Sequence, residues 1–116
     1  MKPFAIGAFA AALFVAGAAS AATIDAMTAN TLTVTDQAGV TLSYQFNTDG
    51  SYTVAMPDGS AGDGVWRVNA SQFCFTPTGA DEACVAAPPA GKGPGDSWTT
   101  ADPTGAPVTV SIVSGR

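Results

Sequence analysis

The sequence predicts an all-β protein: a small antiparallel meander of about seven to eight strands that closes into a barrel or packs as a sandwich. Over most of the chain after Leu32, apolar residues recur at every second position, the period of half-buried strands. Clusters of Gly, Asp, Asn and Pro interrupt these runs about every 8 to 12 residues, the spacing of hairpin turns. Beyond the first 21 residues no segment repeats its apolar residues convincingly at helical spacing.

Taken from the N-terminus, residues 1–21 read as a secretory signal peptide. One cation, Lys2, precedes an apolar run from Phe4 to Ala19, and Ala19-Ser20-Ala21 offers the small residues of a cleavage site. The run falls short of the ~20 apolar residues that span a bilayer and has no basic stop-transfer flank, which argues against stable membrane insertion. No cysteine stands at the cleavage junction to take a lipid. Residues 22–116 then form one domain of 95 residues, enough for a modest core.

Strand patterns follow in order from Leu32. Val40, Leu42, Tyr44 and Phe46 alternate with Thr41, Ser43 and Gln45; after NTDGS the alternation resumes at Tyr52, Val54 and Met56. Asp49-Gly50 supplies the positive φ of a tight turn and makes these runs a hairpin. A turn cluster from Pro57 to Gly64, PDGSAGDG, leads into a strand with Trp66 and Val68 on one face and Arg67 and Asn69 on the other. Phe73 and Phe75 share a face, with Cys74 opposite. From Ala86 to Ser97 the texture changes to AAPPAGKGPGDS, whose prolines deny ladder hydrogen bonds; it reads as a long surface loop with no evident packing purpose. Trp98 opens another short strand, Asp102-Pro103-Thr104-Gly105 makes a turn, and Pro107 to Val113 is the last strand.

Without Lys2, three cations (Arg67, Lys92, Arg116) stand against nine acids, a formal charge of −6. That field repels phosphate backbones and anionic headgroups and argues against nucleic acid as a partner, while solubility alone accounts for the acidity. Cys74 and Cys84 are the only cysteines, and in an exported chain they pair as one structural disulfide. The loop it closes sets the stabilisation at somewhat under about 3 kcal/mol.

Most catalytic readings fail on composition. The chain has no histidine, so GDSW (Gly95 to Trp98) lacks the base that a serine nucleophile needs, and Ser97 is a loop hydroxyl. GKGPG (Gly91 to Gly95) lacks the spacing of a phosphate loop. Carboxylate pairs would come from Asp49, Asp58, Asp63, Asp81, Glu82, Asp96 and Asp102, but each is expected in a turn, where aspartate serves the backbone. Asp58, Ser60 and Asp63 crowd oxygen donors into one loop that could take calcium, without matching a calcium-loop pattern. Trp66 and Trp98 could stack on a sugar ring, although aromatics at strand spacing in so small a domain are more often core. No catalytic, cofactor-binding or metal residue is therefore assigned. The candidate contact with a partner is the loop's Lys92, together with Pro94 and Asp96, since prolines lower the ordering cost of binding.

The segment GVWRV…QFCF…C, with TLTVTDQAGVTLSYQFNTDGSYTVAMPDG before it, resembles a group of short exported β-rich proteins of Gram-negative bacteria. In these a G-x-W strand is followed by a strand bearing one cysteine and then by a second cysteine. The resemblance spans about Asn30 to Arg116 and implies a periplasmic or secreted location and a β-rich fold, with no known activity. In size, strand count and single disulfide the chain is also similar to small β-barrel inhibitors of lysozymes and proteases. The function expected is non-enzymatic, an exported domain that binds an unknown protein or small ligand or serves the envelope. The alternative is an inhibitor of a secreted or periplasmic hydrolase. An inhibitor should offer a protruding loop, and a small-ligand binder an interior cavity.

Overall fold

The computed structural model describes residues 21–69 and 71–116; the segment read as a signal peptide, apart from its last residue, lies outside them. Eight strands follow one another: β1 (Thr31–Thr35), β2 (Thr41–Phe46), β3 (Ser51–Ala55), β4 (Ala61–Val68), β5 (Gln72–Pro77), β6 (Ala83–Ala86), β7 (Ser97–Ala101) and β8 (Pro107–Val113). They form one antiparallel sheet in the order β6-β5-β4-β3-β2-β1-β8-β7. Its two edges, β6 and β7, come within 8 Å (Cα to Cα) without pairing. The meander is thus a nearly closed barrel, which decides between the two architectures the sequence allows.

Four of the hairpin turns share one construction. In Asp36–Val40, Asn47–Ser51, Met56–Ser60 and Asp102–Ala106, the first residue donates its N–H to the carbonyl of the fifth, and the glycine at the fourth donates to the carbonyl of the first. This is a type I turn followed by a left-handed residue, so the fourth position needs glycine: Gly50 sits at φ 91° and Gly105 at φ 90°. Aspartates lock the turns from inside. Asp49, Asp58 and Asp102 each accept through Oδ1 from the backbone N–H and the hydroxyl of the Ser or Thr two residues on, at 2.6–2.9 Å.

Inward-facing residues build the core at one end of the barrel. Phe46, Tyr52, Phe73 and Ile112 are buried there with Leu32 and Val110. Trp66 stacks on Phe73, with ring centroids 5.6 Å apart, and Phe46 meets both rings edge-on. The half-buried Trp66 donates its indole N–H to the carbonyls of Asn47 and Ser51 at 3.0 and 3.1 Å, tying the aromatic cluster to the β2–β3 turn.

This end is closed by a feature the periodicity does not announce, a helix α1 over residues 21–29. It buries Thr23, Met27 and Thr28 and packs Ile24 and Ala26 against the core, so polar and small residues break up its inward stripe and leave the apolar pattern too short to read. Three contacts bind its C-terminal carbonyls: Thr28 Oγ1 to Asp25 O, Asn30 Nδ2 to Ala26 O, and Arg116 Nη1 to Thr28 O. Thr23, fully buried, donates its hydroxyl to Pro89 O at 2.7 Å and accepts from the Lys92 N–H at 3.1 Å.

That pair of bonds corrects the reading of the 86–97 segment as a loop without packing purpose. Pro88 is buried, Gly95 N–H donates to Ile112 O, and Asp96 O accepts from Ile112 N–H. Two further expectations change. The turn after Met56 is complete by Ser60, and β4 begins at Ala61, because Gly62 and Gly64 lie opposite Val54 and Tyr52 and leave room for them. Asp63 therefore stands on a strand, paired with Thr53, and not in a turn. Val68 shares parity with Trp66 but lies at the strand's end and is 41% exposed.

Candidate functional site

An up-and-down meander places alternate turns at the same end. The end carrying the β2–β3 and β4–β5 turns and the 87–96 loop is plugged by α1. The other end carries the β1–β2, β3–β4, β5–β6 and β7–β8 turns and is open. Between the aromatic floor and this mouth lies a cavity of about 390 Å³. Met27 of α1 is part of its floor, while Val34, Leu42, Phe75, Val85 and Val108 are among the apolar walls. Eight strands make an interior that side chains can just fill or that can hold one small ligand. Here the inward residues toward the mouth are aliphatic or small, and the space stays.

Few polar side chains line this cavity: Tyr44 and Thr100, and at its rim Asp36 and Asp102. Tyr44 stacks flat on Phe46 at 5.5 Å. Burial, and then the neighbouring Tyr52, push its phenol above the usual tyrosine range, so it stays a neutral hydroxyl. Trp98 lines the side wall on β7, facing Val85 and Ala86 of β6 across the gap where the sheet does not close. A second hollow of about 430 Å³ shares Leu42, Tyr44 and Phe75 with the first and runs toward Met56, Gly62 and Pro77 at the same mouth.

Each turn at the open end contributes an aspartate: Asp36, Asp58, Asp81 and Asp102. Asp36 Oδ1 accepts from the N–H groups of Ala38 and Val40, and Asp102 Oδ1 from Thr104 and Ala106. The Thr104 hydroxyl, followed by the backbone N–H groups, holds the Asp102 carboxyl below its usual range; Ser60 does the same for Asp58. The cations lie elsewhere. Lys92 and Arg116 are at the plugged end, and Arg67 on the outer wall is spent on Glu82 in a bidentate pair at 2.7 and 2.8 Å.

Of the residues singled out from sequence, Trp98 and Asp102 line this cavity, and the others fall away from it. Cys74 and Cys84 are bonded to each other on the outer face, directly opposite in the β5–β6 register with Cα atoms 4.0 Å apart. With Glu82 they are the one group of three close metal-ligand types among the described residues, but the sulfurs are joined and Glu82 holds Arg67. Lys92, Pro94 and Asp96 share the loop at the plugged end; Lys92 is half-buried, and Asp96 Oδ2 accepts from Gly93 N–H within the loop. Asp58 and Ser60 bond each other, and Asp63 stands apart on β4. Ser97 is exposed at the start of β7. Nothing in the local sequence around Asp36, Tyr44 or Thr100 marks a site, and the pattern at Asp102 points to a turn. The signal that reaches the rim acids is the parity of the turns, which groups their aspartates at one end once a meander is assumed.

Comparison with known proteins returns no match: no family model, no curated protein and no solved structure is similar to this chain. Among the described residues no helix is long and apolar enough to cross a membrane.

Proposed function

We propose that this chain is an exported, non-enzymatic binding protein that takes one small apolar molecule into its barrel. The observation that carries the reading is the cavity. At about 390 Å³ it lies within the range of ligand sites, and its walls are apolar with a few polar groups near the entrance. An engineered apolar cavity of about 150 Å³ already binds benzene. The disulfide suits an oxidising compartment, and the signal-like first 21 residues suit export; both support a location in the periplasm or outside the cell. The inhibitor reading leaned on a protruding loop, whereas residues 87–96 are tied to Thr23 and Ile112.

The test is titration with a neutral apolar fluorophore, N-phenyl-1-naphthylamine, read by its emission and by quenching of Trp98 in a Trp66→Phe background. Saturable 1:1 binding is expected, abolished by Val34→Trp, which fills the cavity, with the strand circular dichroism unchanged. Absence of binding, or binding indifferent to Val34→Trp, refutes the reading.

A further inference from the structure

We propose that the ligand carries a positive charge: an apolar body that fills the barrel, with an ammonium or similar cationic group held at the mouth. The inference rests on the binding reading above and concerns what kind of molecule the cavity selects. The cavity makes the site; the acids at its rim do the choosing. Asp36 and Asp102 continue the inward-facing rows of β1 and β7, after Leu32 and Val34 and after Trp98 and Thr100, and both line the cavity. The two strands are separated only by β8, which sets their backbones about 10 Å apart laterally, and the register puts Asp102 two residues further toward the mouth than Asp36. Asp58 and Asp81 occupy the two remaining turns of the rim. Among the described residues no lysine or arginine compensates them, because the available cations are at the plugged end or paired with Glu82.

Charge complementarity therefore excludes one class and favours another. A fatty acid would bring its carboxylate toward the Asp36 and Asp102 side chains, and the Thr104 hydroxyl, followed by the backbone N–H groups, holds the Asp102 carboxyl below its usual range. An alkylammonium of the same length buries the same tail and meets those charges favourably. The Oδ1 atoms of Asp36 and Asp102 are engaged with backbone N–H groups, and each carboxylate has a second oxygen to offer. The nearby Trp98 ring adds a face of the kind cations approach.

The experiment is displacement of N-phenyl-1-naphthylamine by octylammonium, octanol and octanoate at pH 7, below their micelle concentrations. Octylammonium should bind most tightly and octanoate least, with about tenfold or more between them, and the spread should shrink in 0.5 M salt. In Asp36→Asn/Asp102→Asn the three affinities should converge, since asparagine keeps the oxygen that accepts from the turn but not the charge. Equal affinities of the three in the unaltered protein overturn the charge proposal and leave the cavity reading standing. Failure of dye and all three amphiphiles to bind overturns both. Should the double variant not fold, the salt series on the unaltered protein decides, and a spread that salt does not reduce counts against the proposal.

Discussion

Replacing Gly64 by alanine should cost far more than the same change at Gly62, although both glycines lie on β4 with backbone conformations open to any residue. A Cβ at Gly64 would press into the Thr76 carbonyl oxygen and lie 2.8 Å from Cε2 and Cζ of Tyr52. Neither neighbour can yield. Thr76 is held in the β4–β5 ladder, and Tyr52, 3% exposed, is wedged between Phe46 at 5.6 Å and Phe75 at 6.4 Å. Overpacking of this kind costs about 1–3 kcal/mol, and with both contacts fixed the upper value applies, about 3 kcal/mol. For a domain of this size each kcal/mol moves Tm by about 4–8 °C, so Gly64→Ala should melt roughly 12–24 °C lower. At Gly62 the new Cβ meets only Val54 Cγ1 at 3.3 Å and Met56 Cε at 3.7 Å, and Met56 is partly exposed and flexible. There the reduced freedom of the unfolded chain offsets the contact, and stability should stay within about 0.5 kcal/mol. Urea unfolding followed by far-ultraviolet circular dichroism measures both. Equal midpoints for the two variants would show that the Tyr52 ring does not lie against the β4 backbone.

Exchanging both Cys74 and Cys84 for serine should lower stability by somewhat under about 3 kcal/mol in the same assay, with the strand signature retained, because the bond joins residues the β5–β6 ladder already pairs. Arg116→Ala removes the donors to Thr28 O and Asn47 Oδ1 and should cost about 1 kcal/mol, with faster hydrogen exchange in α1 as the local readout. Stability should also depend on pH at both extremes. Asp49, Asp58 and Asp102 have folded-state values below the ordinary carboxylate range, chiefly through their Ser or Thr hydroxyl partners, so their contribution is complete above about pH 4 and disappears as the pH falls further. Tyr44 and Tyr52, raised by burial, contribute fully below about pH 10 and lose that contribution as the pH rises through their folded-state values. A Tm profile flat across neutral pH and falling in acid and alkali is expected; Tyr44→Phe should flatten the alkaline arm.

How far the sequence speaks depends on the range of the interaction. The turn at Asp49-Gly50, the alternation of Leu42, Tyr44 and Phe46, and the pairing of Cys74 with Cys84 are local, and each is legible because two to ten residues contain the whole cause. What the sequence hides is non-local. Gly62 and Gly64 look like turn residues until Val54 and Tyr52 are seen opposite them. Helix α1 has almost no apolar stripe of its own and is held through Thr23, whose partners lie 66 and 69 residues away. The pairing of β1 with β8 joins the last two strands to the first and brings the strand end at Asp36 to the same mouth as Asp102, although no local pattern joins them. The cavity is furthest from the sequence, being a property of what all eight strands leave unfilled.

That unfilled space bears on why the molecule is built in two halves. Enclosed and empty, a void of about 390 Å³ would cost about 9 kcal/mol, at the ~24 cal/mol per Å³ found for apolar cavities. Whole domains have only about 5–15 kcal/mol of stability, so such a void cannot be carried dry. The barrel avoids that cost by leaving one end open, so that solvent or a ligand occupies the interior. Stability is then drawn from the other end, where Phe46, Trp66 and Phe73 interlock and α1, the 87–96 loop and Arg116 close over them. The disulfide sits on the outer wall at β5–β6, next to the edge strand that lacks a partner on its far side. These packing and capping contacts are concentrated away from the cavity. At the mouth, the β1–β2, β3–β4 and β7–β8 turns are held by hydrogen bonds to Asp36, Asp58 and Asp102 and do not depend on the contents of the cavity for those bonds. The same aspartates that fold those turns give the entrance its charge, so the turn chemistry and the proposed selectivity arise from one set of residues.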